Sequence, residues 1–288
     1  VDAQIRSLLR LSLDEDIGAG DVTTQATVDP EQRAVATVLT REPCVACGVA
    51  LFEPLVAEMR ARDSHADDRA PLELAGPSAE GEPLGAGQTI CTIRGSARGL
   101  LTIERTFLNF LGRLSGIATV TRAYVDAARA GNARVRVLDT RKTTPGHRTL
   151  ERYAVRCGGG SNHRMGLYDA ILIKDNHVIA AGGVEEAVRR ALQAARPGMS
   201  VEVECDRLEQ IETALRVGAR AILLDNFTPR QVADAVRLIG GRARVEVSGG
   251  VSLDTIAAFA VAGPDDISVG RLTHSARAID VSLDMALA

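Results

Sequence analysis

Apolar and polar positions along this chain follow two textures, and the change falls near Val135. Before it, helical and extended patterns are mixed without regular order. Ile5, Leu8, Leu9, Leu11 and Leu13 recur at helical spacing over residues 3–15, and the Gly18-Ala19-Gly20 run ends that helix. Residues 21–24 read as a turn or an extended segment. The run AVATVLT at 34–40 is rich in strand formers and is stopped by Pro43, and residues 49–61 present Leu51, Leu55, Val56 and Met59 on one helical side. The charged run 62–69 reads as a solvated loop. Short strands at 72–74 and 89–93 flank a Gly/Pro-rich stretch, and two helices follow at 98–114 and 119–130, divided by Ser115-Gly116. This mixture predicts a small α+β domain.

Beyond Val135, short apolar runs alternate strictly with helical ones. Strands are expected at 135–138, 170–173, 201–203, 221–224, 245–247 and 267–269, with helices at 184–195, 208–217, 229–239 and 253–262. Such alternation predicts a parallel sheet covered by helices, either an open doubly wound sheet or a closed barrel. The polar residues favour the barrel, because every strand runs straight into them: Asp139-Thr140-Arg141-Lys142, Lys174-Asp175-Asn176-His177, Glu204-Cys205-Asp206, Asp225-Asn226, Ser248-Gly249-Gly250 and Gly270-Arg271. An α/β barrel gathers its site from the C-terminal ends of most strands, whereas an open sheet concentrates it at one switch point.

Charge sharpens the picture. Residues 138–177 hold seven Lys and Arg against four Asp and Glu in a chain of net charge −3. Positive charge concentrated in one segment of an acidic chain suits a small polyanion better than nucleic acid, which needs a broad basic face. Aromatic content of 3% with no Trp leaves few rings on which bases could stack. No apolar run approaches about 18 residues and the N-terminal stretch lacks the order of a signal peptide, so a soluble cytoplasmic protein is expected. The five cysteines do not suggest a disulfide framework. Cys44 and Cys47 have the spacing of half a zinc site, but no second pair accompanies them; they read as small strand residues, and a structural zinc is not expected.

Ser248-Gly249-Gly250, between a strand and a helix, has the makings of a phosphate cradle, and Gly270 at the next strand end could supply its other half. Cys157-Gly158-Gly159-Gly160 could let backbone pass close to a ligand. Glu204 and Asp225 are candidates for holding ribose hydroxyls or sharing Mg²⁺ with phosphates, while Asp139 and Asp175 read as helix N-caps. Lys174 has two sharp readings, a permanent cation for an anionic substrate or a Schiff-base lysine. His163 and His274 could reach phosphate or carboxylate; His147 and His177 read as caps or solvated residues, and His65 as inert. Glu104 and Arg105 read as a helix-surface ion pair.

At these residues the sequence resembles the quinolinate phosphoribosyltransferases, also called carboxylating nicotinate-nucleotide pyrophosphorylases. The resemblance is carried by EDIGAGDVTT, LLTIERTFLNFLGRLSGIAT, DTRKTTPG, YAVRCGGGSNHRMGLYDAILIKDNH, VEVE, LLDNF, EVSGGV and VGRLTHSA, in family order over nearly the whole chain. It implies an N-terminal α/β sandwich (residues 1–114, rejoined by 275–288) and an incomplete α/β barrel of fewer than eight strands (115–274). It also implies a homodimer with shared sites, Mg²⁺, and transfer of phosphoribosyl from 5-phosphoribosyl 1-pyrophosphate to quinolinate with loss of CO₂. The family pattern places quinolinate against Arg141, His163, Arg164 and Lys174, with Arg105 from the other subunit. Lys142 would face the phosphoribosyl pyrophosphate, Glu204 and Asp225 the ribose and metal, and Ser248, Gly249, Gly250, Gly270 and His274 a phosphate. Two positions depart from the pattern, His147 where a large apolar residue is expected and Arg271 where a small one is commoner. The alternatives are a Schiff-base lyase barrel using Lys174, a phosphoribosyltransferase for another pyridine acid, and a silent ligand-binding protein.

Overall fold

The computed structural model describes residues 2–62 and 71–288. The charged run expected to be a loop, with His65, falls almost wholly outside these residues. The chain divides into two compact units, Val1–Thr121 with Thr144–Gly159 and Ser275–Ala288, and Arg122–Thr143 with Gly160–His274.

The first unit begins with α1 (Ala3–Ile17), capped by the Asp2 carboxylate on the Ile5 amide. The expected turn at 21–24 is instead a short helix, α2 (Val22–Thr27), because the Asp21 side chain accepts from the Thr24 amide and so caps a helical turn. Next come β1 (Arg33–Thr40), β2 (Cys44–Val45), α3 (Phe52–Arg62), β3 (Glu73–Ala75), β4 (Pro83–Leu84) and β5 (Thr89–Ser96). Alternate residues of β1 (Ala34, Ala36, Val38 and Thr40) are buried, the period-two pattern of a strand with one covered face. The antiparallel sheet runs β12-β1-β5-β3, where β12 (Val281–Leu287) is the last strand of the chain. With the helices this makes the expected sandwich, and Phe52 of α3 meets Phe107 edge-on at 5.4 Å.

Phe107 lies on α4 (Ala97–Gly131), one unbroken helix of 35 residues where two had been expected. Ser115 and Gly116 do not interrupt it. They are small because other chain segments cross there: a Cβ at Gly116 would lie 1.9 Å from the Arg277 carbonyl oxygen, and the Ser115 hydroxyl accepts from the Cys47 amide at 3.0 Å. Close approach, rather than helix breaking, explains this pair.

The second unit contains β6 (Arg136–Leu138), β7 (Ile171–Ile173), α6 (Asp175–Ala181), α7 (Val184–Ala194), β8 (Val201–Cys205), α8 (Leu208–Val217), β9 (Ala221–Asp225), α9 (Pro229–Ile239), β10 (Arg244–Ser248), α10 (Ile256–Val261), β11 (Asp266–Ser268) and α11 (Arg271–His274); α5 (Arg148–Cys157) belongs to the first. Six parallel strands run β7-β8-β9-β10-β11-β6. Each strand from β7 to β11 lies beside its successor, and the first, β6, pairs with the last. That pairing curls the sheet into an incomplete barrel, open between β6 and β7. Part of the open edge is taken by Ser161, whose amide donates to the Val137 carbonyl at 2.8 Å. None of the described helices is long and apolar enough to cross a membrane.

Register assigns the strand faces. Leu172 pairs with Glu202, Glu204 with Leu223, Asp225 with Ser248, and Glu246 with Asp266, so these residues share one face of the curled sheet. Val203, Ile222, Leu224, Val245, Val247 and Ile267 alternate onto the other face and are buried. An apolar outer layer therefore supports an inner face rich in charge.

At the start of the strands this charge is locked. Asp266, 1% exposed, accepts from Arg136 Nε at 2.8 Å and from Arg244 Nε. These three residues open β11, β6 and β10, so the clamp ties three neighbouring strands together. Burial alone would raise the Asp266 pKa, but hydrogen bonds from Arg244 and Arg136 hold it below its ordinary value.

Candidate active site

At the other end of the strands the inner face opens into a cavity of about 720 Å³, a size suited to small-molecule ligands. The strand residues lining it, Leu172, Glu204, Leu223, Asp225, Glu246, Ser248 and Ser268, all lie on the inner face. Loop residues complete the wall. Of the residues singled out in the sequence, Arg141, Lys142, His163, Arg164, Lys174, Glu204, Asp225, Ser248, Gly249, Gly250, Gly270, Arg271 and His274 meet there. Arg105 does not: it is exposed on α4 in the first unit.

Lys174 ends the β7 strand and occupies the N-cap position of α6, where the His177 ring accepts from its amide at 2.9 Å. His177 is therefore a capping residue. Asp175, expected as the cap, is one position too late and only accepts from the Asn176 amide. The Lys174 ammonium lies 2.9 Å from Glu204 and is about half exposed. Arg141 and Arg164 carry like charge into the same wall, and after burial the nearby Arg141 charge is the larger cause lowering the Arg164 pKa. Two guanidiniums that repel each other favour an anion between them.

Asp139 is not a helix cap either. Fully buried, it accepts from the His163 amide at 2.8 Å and from the Asn162 side chain at 2.5 Å. It thereby holds the segment carrying His163 and Arg164 against the end of β6.

His163 closes the cavity floor. Its Nε2 lies 3.4 Å from both Glu202 and Glu246, and Glu246 also accepts from the Ser268 hydroxyl at 2.5 Å. Burial on its own lowers the His163 pKa, but the two glutamates outweigh it and raise the value to about 10. Burial likewise raises that of Glu202. The Arg164 amide, 2.7 Å from Nδ1, needs an accepting nitrogen there. A ring protonated at Nε2 and facing the glutamates, with a further proton on Glu202, meets both demands and leaves the triad with the same net charge. Reading from sequence missed Glu202 and Glu246. The signal was present, since VEVE places Glu202 and Glu204 two residues apart and so on one strand face.

At the ends of β9, β10 and β11 backbone geometry dominates. Asn226 has a left-handed φ of 59°, a conformation uncommon outside glycine, and its amide donates to the Ser248 carbonyl at 2.9 Å. Gly249, φ 90°, is required by its neighbour: a Cβ there would lie 2.2 Å from Asn226 Oδ1. At Gly270 a Cβ would crowd His274 Nε2 at 3.1 Å and the Lys142 side chain at 3.2 Å. The Thr273 hydroxyl donates to the Lys142 carbonyl at 2.7 Å, tying the loop after β6 to α11. These contacts leave backbone amides and small residues around a concave edge, as an anion requires. His147, the other departure, stacks on Phe110 at 6.3 Å in the first unit and so serves as a flat apolar surface.

Glu204 and Asp225 end adjacent strands. Burial and then the Glu204 charge raise the Asp225 pKa, opposed by Lys174 and Lys142. Two mutually repelling carboxylates offering only oxygen fit a hard divalent cation that keeps positions for water and phosphate.

Comparison with known proteins finds relatives along nearly the whole chain. Residues 21–115 match the N-terminal domain, and 117–284 the C-terminal domain, of quinolinate phosphoribosyl transferase. The nicotinate-nucleotide pyrophosphorylase [carboxylating] of Mycobacterium leprae is 45% identical over 284 residues, which span 97% of this chain and 96% of that protein. A crystal structure of NadC from Streptococcus pyogenes superposes with a TM-score of 0.90 at 40% identity, covering 99% of this chain and 97% of that one. The nicotinate-nucleotide pyrophosphorylase of Francisella tularensis superposes with a TM-score of 0.89 at 38% identity, covering 98% and 96%.

Proposed function

The chain belongs to the quinolinate phosphoribosyltransferase family, and from that premise we propose that it converts quinolinate to nicotinate mononucleotide. The phosphoribosyl group comes from 5-phosphoribosyl 1-pyrophosphate, and pyrophosphate and CO₂ leave, a step of NAD biosynthesis. The observation that carries this reading is one cavity lined both by the cations Arg141, Arg164 and Lys174 and by the glycine-rich Ser248–Gly250 and Gly270, with Glu204 and Asp225 ending the strands between those of Lys174 and Ser248.

Each group has a task. Arg141, Arg164 and Lys174 bind the two quinolinate carboxylates, while His163, its ring nitrogens taken by the Arg164 amide and the glutamates, positions Arg164 rather than touching them; Ser248, Gly249, Gly250, Gly270 and His274 hold a phosphate, and Lys142 faces the pyrophosphate. Glu204 and Asp225 hold ribose hydroxyls and Mg²⁺. When bound, Mg²⁺ neutralises charge on the departing pyrophosphate. Lys174 is paired with Glu204 in this structure. An arriving carboxylate would take over that ammonium and release Glu204 towards the ribose. The residues then position the pyridine nitrogen against ribose C1 as the C1–O bond to pyrophosphate breaks. The new C–N bond leaves a positive ring nitrogen, which draws electrons from the adjacent C2–carboxylate bond. CO₂ departs and C2 takes a proton.

Arg105 enters through the second copy of a homodimer, from its exposed place on α4. The enzyme works in the cytoplasm, a reading its five free thiols suit. A Schiff-base lyase is less well supported, because the Lys174 amine is tied up in an ion pair with Glu204.

The test is to mix the protein with quinolinate, 5-phosphoribosyl 1-pyrophosphate and Mg²⁺ and follow products. Nicotinate mononucleotide and CO₂ in equal amounts are expected. Turnover of nicotinate in preference to quinolinate would reassign the substrate, and binding without turnover would make the chain a silent relative.

A further inference from the structure

Cys47 does not pair with Cys44, the partner its spacing suggests. It meets Cys157 and Glu80 instead: the two sulfurs and a Glu80 carboxylate oxygen all lie within 4.8 Å of one another. All three residues belong to the first compact unit, outside the cavity, and none takes part in the chemistry above.

Three chain segments are fixed to bring these atoms together. Glu80 is anchored by the amides of Gly48 at 2.8 Å and Ala50 at 2.9 Å. Cys47 is held by its amide on the Ser115 hydroxyl and lies next to Ala46, whose backbone exchanges two 2.8 Å hydrogen bonds with Gly81 and Glu82. The last residue of α5 is Cys157, and Gly81 passes so close that a Cβ there would lie 2.8 Å from the Cys157 carbonyl oxygen. Cys157 Sγ is 3.9 Å from Glu80 Oε2, and the neighbouring Cys47 thiol and Tyr153 hydroxyl favour its thiolate, lowering its pKa. Sulfur, sulfur and carboxylate thus converge, and what joins them is a set of protons.

We infer that Cys47, Cys157 and Glu80 form a binding site for a thiophilic divalent cation of the Zn²⁺ class. Bond lengths of about 2.3 Å to sulfur and 2.0 Å to oxygen put tetrahedral ligand atoms roughly 3.3–3.8 Å apart. The cluster therefore closes on an ion by a contraction of about an ångström. The cation replaces the shared thiol protons, which leave to solvent, and water or Tyr153 fills the fourth position. Two sulfur ligands select Zn²⁺ over Mg²⁺, so the site does not compete for the metal proposed in the cavity. Arg156, stacked on the Tyr153 ring at 5.6 Å and acting on Cys157, offsets the residual negative charge. Partial exposure of Cys157 and Glu80 gives the ion a path in, while Cys47 is fully buried. A bound ion would pin the C-terminal end of α5. From there Gly158, Gly159 and Gly160 lead to Asn162, His163 and Arg164.

The experiment is titration of the reduced full-length chain with Co²⁺, then displacement by Zn²⁺, under anaerobic conditions. Expected is a thiolate-to-cobalt absorption band in the near ultraviolet, saturating at one ion per chain. It should be lost in Cys157→Ser and Cys47→Ser, weakened in Glu80→Gln, and kept in Cys44→Ser. Zn²⁺ should also raise the melting temperature of the wild type and of Cys44→Ser but not that of Cys157→Ser. Circular dichroism checks that each variant is folded. No band in the wild-type chain would overturn the site, as would a band that survives in folded Cys157→Ser. Recovery of Cys47 and Cys157 as a disulfide that binds no metal would assign the pair to redox chemistry instead.

Discussion

The two ends of the parallel barrel carry charge in opposite conditions. Where the strands begin, Asp266 is buried between Arg136 and Arg244, and each group finds its partner within the fold. Where they end, Arg141 repels Arg164, Glu204 repels Asp225, and the Lys174 ammonium paired with Glu204 is half exposed. The same inner face thus serves structure at one end and ligand at the other. Arrangement is the difference: opposite charges clamped together at one end hold strands, and like charges gathered around a cavity at the other favour a ligand of opposite sign.

Substitutions separate the two ends, the largest effect first. Arg164→Ala or Lys174→Ala should cost roughly 10²–10³-fold in turnover, the scale of one lost electrostatic donor, with melting temperature nearly unchanged. Wild-type kcat/KM in both would remove these residues from the site. Mixing Arg105→Ala with Lys174→Ala chains should then restore roughly a quarter of wild-type activity, since random mixed dimers hold one intact site. No recovery would place Arg105 outside the partner's site.

Gly249→Ala strains a left-handed residue against Asn226 and should destabilise by about 1–3 kcal/mol, with phosphoribosyl pyrophosphate KM rising; an unchanged KM would take Gly249 out of the phosphate wall. The opposite end behaves differently. Asp266→Asn should lower stability by roughly 2 kcal/mol, a figure kept low because both arginines are half exposed, and leave kcat near wild type. A large loss of kcat in the folded variant would erase the distinction.

The smallest effect is in pH. The His163–Glu202 pair keeps in the fold, up to about 10, a proton that an ordinary histidine loses near 6.5, so its contribution to stability is complete below about 6.5 and lost as pH rises through about 10. Asp266 is lowered, so its contribution is present above 3.8 and lost as pH falls through the folded value. Chemical denaturation across pH should show both slopes, Glu246→Gln flattening the alkaline one and Asp266→Asn the acid one. A slope that survives its substitution would belong to another group.

Much of this was legible in the chain. The strand ends at Lys174, Glu204, Asp225 and Ser248 stood out because apolar runs broke there into polar residues, and the six strands appear within a residue or two of expectation. Neither the clamp nor the cavity floor was legible, because Asp266, Glu202 and Glu246 gain meaning only from neighbours contributed by other strands. Asp139 looked like a helix cap for the same reason: its partners, His163 and Asn162, lie more than twenty residues on. Ser115-Gly116 looked like a break, since small residues mark both helix ends and close crossings and sequence alone does not separate them. The meeting of Cys47 with Cys157 joins segments more than a hundred residues apart, which no local spacing encodes.

The most direct measurement is calorimetric titration of quinolinate into wild type, Arg164→Ala and Asp266→Asn at low and high salt. If the cationic residues at the strand ends form the substrate site, wild type and Asp266→Asn should bind alike and weaken together as salt rises, while Arg164→Ala binds on the order of a hundredfold more weakly. Equal affinity in all three, unmoved by salt, would contradict that assignment.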